Sequence, residues 1–188
     1  MPNATYRLSL KDMVYELRAI CPIKKEEQIF ISYINPLQPR TVRQESLQSS
    51  YRFTCGCPCC SLPSPESARS DFRRNLLQTN WVSRDGNDDT RLKAWAKDMS
   101  LPDDHIISES MFLINVMAEE RFIDRRICKL HYPRLVKAYC ALKDTANARL
   151  WAGRAALIAT VANGEDFGWS KVADSPESTS WWGLRKRR

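Results

Sequence analysis

Apolar and polar residues alternate twice within the first twenty positions. Thr5-Tyr6-Arg7-Leu8-Ser9-Leu10 and Met13-Val14-Tyr15-Glu16-Leu17-Arg18-Ala19-Ile20 each carry the two-residue period of a half-buried strand. With Lys11-Asp12 as the turn, the pair predicts a β-hairpin. Ile29-Phe30-Ile31-Ser32-Tyr33-Ile34 predicts a third strand, closed by Pro36 and Pro39 because proline donates no ladder hydrogen bond. Thr41 to Ser50, with Val42 and Leu47 among polar residues, reads as a short, weakly amphipathic helix.

Past the linker Ser61 to Ser67 the period becomes helical. Ser64 and Pro65 pair as N-cap and first-turn residue, and Phe72, Leu76 and Leu77 form an apolar stripe. Arg84 to Asp89 reads as a loop, and Leu92, Trp95 and Met99 mark a short helix. Pro102-Asp103-Asp104 opens the clearest helix, whose Ile106, Ile107, Met111, Ile114, Val116, Met117 and Phe122 recur at three- and four-residue steps. Asp124 to Leu142 predicts another, started or kinked at Pro133, and alanine-rich Thr145 to Val161 a third. The short connection Lys143-Asp144 makes these two an antiparallel helical hairpin, and Gly164 and Gly168 close the region. Asp174 to Arg188, rich in Ser, Trp and Arg, reads as loose.

Composition narrows the classes. With 43% hydrophobic residues among 188, the chain is globular rather than disordered. No apolar run approaches the roughly 20 residues that span a bilayer, and the N-terminus lacks a secretory layout, which predicts an intracellular protein, nuclear or cytoplasmic, without a membrane partner. The net charge of +7 suits an acidic partner, and part of it sits in Arg185-Lys186-Arg187-Arg188. That run follows Trp181 and Trp182, so it also admits nucleic acid, beside the plainer reading of a solvated tail.

Seven cysteines in a chain without a secretory signal favour a metal site plus free thiols over a disulfide framework. Four crowd into Cys55-Gly56-Cys57-Pro58-Cys59-Cys60. Cys55, Cys57 and Cys60 form a C-x-C-x-x-C set whose thiolates suit zinc, while adjacent Cys59 and Cys60 could hardly share one ion without strain. A tetrahedral site then needs a fourth ligand, for which the chain offers Cys21, Cys128 and Cys140; the plain reading of each is a buried small hydrophobe. His105 and His131 read as surface or core residues, and Tyr33, at the end of an apolar run, reads by itself as core.

Taken together, the apolar run ending Ser32-Tyr33-Ile34, the short helix and Tyr51-x-Phe53-x-Cys55-x-Cys57-x-x-Cys60 resemble the end of a SET domain and its post-SET zinc knuckle, most of all the SET-and-MYND group and its fungal relatives. Pro2-Asn3-Ala4 resembles the tail of that family's Asn-His-Ser-Cys-x-Pro-Asn signature, so the likeness covers residues 2–60; Tyr139 to Asp144 with the alanine-rich helix is similar to the tetratricopeptide-like hairpins of its C-terminal region. Departures are Glu26 for a turn glycine, Gln28 for glutamate and Asn35 for aspartate.

The resemblance implies an α+β protein: the C-terminal part of a SET domain (1–50), a post-SET knuckle (51–62), a helical domain (63–168) and a basic flexible tail (169–188). It implies S-adenosylmethionine-dependent methylation of a protein lysine, on a histone or another protein, with Tyr33 as catalytic tyrosine, Asn3, Tyr51 and Phe53 at the cofactor or lysine channel, and zinc on Cys55, Cys57 and Cys60. It implies too that the Asn-His-Ser-Cys residues and the cofactor-binding part fall before Met1, so that this chain is inactive alone. The other expectation is a non-catalytic interaction module built from the knuckle and the helical hairpins.

Overall fold

The computed structural model describes residues 2–10, 12–82 and 88–185, with the side chains of Trp81 and Val82 excepted. Lys11 of the hairpin turn, Arg84 to Asn87 of the expected loop and Lys186 to Arg188 of the basic run lie outside the described residues. The chain divides into two units, Met1–Ser83 with Asn115–Asp124, and Arg84–Ile114 with Arg125–Arg188.

In the first unit, β1 (Ala4–Ser9) and β2 (Val14–Ala19) pair antiparallel from Ala4 opposite Ala19 to Ser9 opposite Val14. Alternation puts Arg7, Glu16 and Arg18 on one face, where both guanidiniums bond Glu16 and hold its carboxyl below the usual range. Tyr6, Leu8, Tyr15 and Leu17 take the other face and stay exposed. The third strand expected over residues 29–34 does not form. Among the described residues, that stretch makes backbone bonds to the hairpin only at its start, where the N–H groups of Asn3 and Ala4 both donate to the Phe30 carbonyl. An extended run needs a neighbour along its length to become a strand, and among the described residues the sheet has two strands. Glu26 does adopt the left-handed conformation of the glycine it replaces, with φ 66°, at roughly 1–2 kcal/mol.

Helix α1 (Arg40–Tyr51) buries Arg43 and Leu47, four residues apart, and stops at Arg52, whose left-handed backbone donates back to the Gln48 carbonyl. Helix α2 (Ser64–Val82) corrects the expected stripe: Leu77 is buried, but Phe72 is exposed. The inward row is Ser70, Arg74 and Leu77. Its polar members are held by Glu120, 1% exposed, which accepts from Ser70 and Arg73 and pairs with Arg74 at 2.9 Å. A buried carboxylate is stable only when so surrounded.

The second unit has an apolar cluster at its centre. Helix α3 (Asp88–Lys97) buries Leu92, Trp95 and Ala96 against Ile106 of α4 (His105–Glu119) and Ala138 and Ala141 of α5 (Arg125–Leu142). The unit boundary falls within α4, after Ile114. Pro133 lies inside α5 and does not start it. Lys143, with φ 62°, closes α5 by a left-handed turn in which Asp144 N–H reaches the Tyr139 carbonyl. The Asp144 side chain then caps α6 (Thr145–Asn163) by accepting from Asn147 N–H, and Gly164 ends it. Small alanines let α6 pack closely on α5 in an antiparallel pair, tied by the Tyr132–Trp151 rings midway along it and by Lys129–Asn163 at the end far from the turn.

The end of the chain, expected to be loose, forms α7 (Trp169–Asp174) and a 3-10 turn at Pro176–Ser178. Beyond them Gly183 and Arg185 N–H groups donate to the Cys140 and Ala141 carbonyls at the end of α5. Arg185 is buried: its guanidinium stacks on Trp95, pairs with Asp103 and takes the carbonyls of Trp95, Asp98 and Leu101. Composition missed this because a helix end has spare carbonyls that a passing arginine can satisfy.

Candidate metal centre and aromatic cleft

The knuckle is a tight turn made by backbone bonds. The N–H groups of Cys60 and Ser61 both donate to the Cys57 carbonyl, which folds the second half of the set under the first. Gln44 of α1 fixes the other end, its amide bonding the Cys55 backbone at both N–H and carbonyl, 2.8 Å each. The sulfurs of Cys55, Cys57 and Cys60 thereby gather within 4.8 Å of one another. A tetrahedral zinc with bonds of about 2.3 Å asks for sulfurs about 3.8 Å apart, so a small contraction about an ion suffices. The donor set fits zinc: three soft sulfurs, half-buried to buried, converging on one point.

The thiols are electrostatically unequal. Burial pushes Cys55 up to about 11. Burial also opposes ionisation of Cys57, but the Cys60 and Cys59 N–H groups and the neighbouring thiols outweigh it, and Cys57 lies below its usual value. Cys59 points away from the set, donating to the Glu120 carbonyl at 3.6 Å, and burial pushes it up. Among the described residues the group holds three thiols and none of the expected fourth ligands. Cys21 faces the Asn3 carbonyl, while Cys128 and Cys140 are fully buried in the second unit, the plain alternative for them. His131 is buried against Ser110 and His105 is exposed.

Beside the thiols, three aromatic rings meet. Tyr33 lies 5.0 Å from the Tyr51 ring and 6.4 Å from the Phe53 ring, nearly edge-on to the latter. The Tyr51 hydroxyl donates to the Tyr33 carbonyl at 3.4 Å. Tyr33 and Phe53, with Ile29 to Ile34 and the knuckle, line a cleft of about 710 Å³. Tyr33 is 55% exposed, not core, as its position in an apolar run would have suggested.

Asn3 is bonded within the protein. Its amide donates to Glu27 and the Gln28 carbonyl and accepts from Phe30 N–H at 2.8 Å. The side chain is occupied in shaping residues 27–30 and is buried. Two residues escaped the sequence reading altogether, Gln44 and Arg43, because polar residues of a weakly amphipathic helix read as solvated. Their only signal was position, one turn N-terminal of Leu47 and facing the knuckle.

No family model matches the chain. Curated proteins do match part of it. N-lysine methyltransferase SMYD2-A of Danio rerio is 41% identical over 69 residues, 37% of this chain and 16% of that protein. The Schizosaccharomyces pombe SET domain and MYND-type zinc finger protein 6 is 53% identical over 38 residues, 20% of this chain and 8% of its own. Protein SET DOMAIN GROUP 41 of Arabidopsis thaliana is 47% identical over 49 residues, 26% of this chain and 9% of that protein. The chain thus spans at most 16% of the length of these relatives. These partial homologies, over a fifth to over a third of its length, support kinship of this chain with the SET-domain lysine methyltransferases.

Proposed function

We propose that residues 2–60 are the C-terminal part of a SET domain that methylates protein lysines, with Tyr33 at the reacting centre. The observation that supports this reading is the meeting of Tyr33, Tyr51 and Phe53 beside three convergent thiols. Zinc held by Cys55, Cys57 and Cys60 would fix the knuckle and, through the short link to Phe53 and Tyr51, the two rings. S-adenosylmethionine, when bound, supplies the methyl group as a sulfonium electrophile. The chain's own part is positioning: the Tyr33 hydroxyl accepts weak hydrogen bonds at the reacting centre and orients the lysine amine, with the Tyr51 and Phe53 rings beside it. The aromatic wall fits a flat cofactor ring or an alkyl lysine stem, whereas Asn3, already bonded within the protein, acts by shaping residues 27–30.

In this reading α5 and α6 are one tetratricopeptide-like hairpin of the helical region, the protein is intracellular, and its substrate is a lysine-bearing protein. Tyr6, Leu8, Tyr15 and Leu17, left exposed on one face of the hairpin, would be covered by the remaining strands of the domain, which the relatives' greater length can supply. The 188 residues alone should therefore not turn over at an enzyme-like rate. A chimera carrying the upstream SET portion of the Danio rerio relative before Pro2 tests the proposal. Methylation of a lysine-peptide panel is expected from the chimera, with a loss of 10²-fold or more in Tyr33→Phe, the cost typical of a misplaced reacting group. Robust turnover by the chain alone, or a chimera indifferent to Tyr33→Phe, would overturn it.

A further inference from the structure

The thiols have a cationic neighbour that the reading above does not use. Arg43, on the inner face of α1, is 5% exposed, and its Nη2 points at the Cys60 sulfur, 3.7 Å away. Its Nη1 donates to the Gln38 carbonyl at 2.6 Å, which anchors the guanidinium. The remaining charged groups nearby do not satisfy it. Asp71 stands 3.9 Å off, is partly exposed, and spends the same oxygen on Arg40 N–H at the start of α1. Arg74 is a second buried cation and repels it. Glu120 is already held by Arg73, Arg74 and Ser70.

A buried guanidinium is tolerated when an anion faces it. The anion that the geometry offers Arg43 is the thiolate cluster. Three thiolates on one divalent ion leave one net negative charge, or two if the fourth ligand is also a thiolate. A guanidinium bonded to one sulfur offsets that charge and fixes the sulfur's direction, as groups bonded to metal ligands generally do. Its neighbour on the helix, Gln44, holds the Cys55 backbone, so consecutive residues of α1 grip the first and last cysteines of the set.

We infer that Arg43 is a positioning residue of the metal centre, aiming the Cys60 sulfur and balancing the charge of the thiolates around zinc. The inference rests on the metal site proposed above, not on methyl transfer. Chelator competition with Zn²⁺ and the sulfur-to-metal absorption of the Co²⁺-loaded chain test it in Arg43→Met and Arg43→Lys. Arg43→Met is expected to weaken zinc roughly 10- to 100-fold and to shift the Co²⁺ charge-transfer band, with partial recovery in Arg43→Lys. If Arg43→Met fails to fold, Arg43→Lys decides alone: a shifted band with unchanged far-ultraviolet circular dichroism supports the role. Zinc affinity within about twofold of the parent, with an unchanged Co²⁺ spectrum, overturns it. A parent chain that binds no zinc sinks the metal site and this inference together. Normal zinc binding and a normal Arg43 effect without methyl transfer by the chimera sinks only the enzymatic reading.

Discussion

The two units bury charge for different ends. In the first, Arg43, Arg74 and Glu120 are buried beside the knuckle, while the hairpin leaves Tyr6, Leu8, Tyr15 and Leu17 exposed. The second packs Trp95, Leu92, Ile106 and small alanines in an apolar cluster, with buried Arg134 and Arg185 paired to Asp88 and Asp103 at its edges. Burial of apolar area is non-directional and forgiving. Buried ion pairs and a thiolate cluster depend on each partner being present. The thiol group should thus make the first unit brittle toward metal loss, and the apolar cluster of the second should respond in a graded way.

The largest expected effect is that of zinc itself. Structural zinc sites contribute apparent binding energies on the order of 10 kcal/mol to folding. Chelation, or Cys57→Ser, should collapse the amide resonances of residues 28–60 while those of α5 and α6 persist; retention of the knuckle resonances would erase the contrast. Next come two single substitutions that probe the two interiors. Glu120→Gln leaves Arg74 without its counter-charge and should cost the first unit about 3–5 kcal/mol in denaturant unfolding. Trp95→Ala should cost the second unit a similar 3–5 kcal/mol through the cavity it leaves. The discriminating readout is repacking: a larger aliphatic residue in place of Trp95 should recover part of the loss, whereas Glu120→Leu should recover none while Arg74 remains. Smaller is Asp144→Ala, which removes the α6 cap and should cost about 1 kcal/mol.

The smallest effect is alkaline. Burial pushes the Cys140 thiol and the Tyr132 and Tyr139 hydroxyls up. The folded state then holds protons that the unfolded state releases, so stability is full below the ordinary thiol range and falls as pH rises through it. From pH 7.5 to 9 the loss should stay below about 1.4 kcal/mol, one pKa unit's worth. Five of the six tryptophans belong to the second unit, so tryptophan fluorescence reports this transition. A midpoint that rises over that range would contradict the burial argument.

Local signals were legible where they carry their own physics. The hairpin followed from strict alternation, the α5–α6 pair from alanine content and a two-residue connection, and the metal group from cysteine spacing. What stayed hidden depends on partners distant in the chain. Residues 29–34 have strand composition but too little pairing to become one. Phe72 matches a helical stripe, yet the face that turns inward is the one whose Arg74 meets Glu120, 46 positions later. Arg185 reads as part of a basic run until the carbonyls at the end of α3 are seen around it. Asn3 lies in the resembling signature, but its amide serves the Phe30 segment. In each case the local pattern is consistent with several partners, and only tertiary structure chooses.

Zinc K-edge absorption fine structure on the purified chain tests the central claim most directly, since it counts the sulfurs around the ion. Zinc with at least three sulfur neighbours at about 2.3 Å is the predicted result, falling by one sulfur in Cys60→Ser. Zinc absent, or ringed mainly by nitrogen and oxygen, would contradict a thiolate centre at Cys55, Cys57 and Cys60.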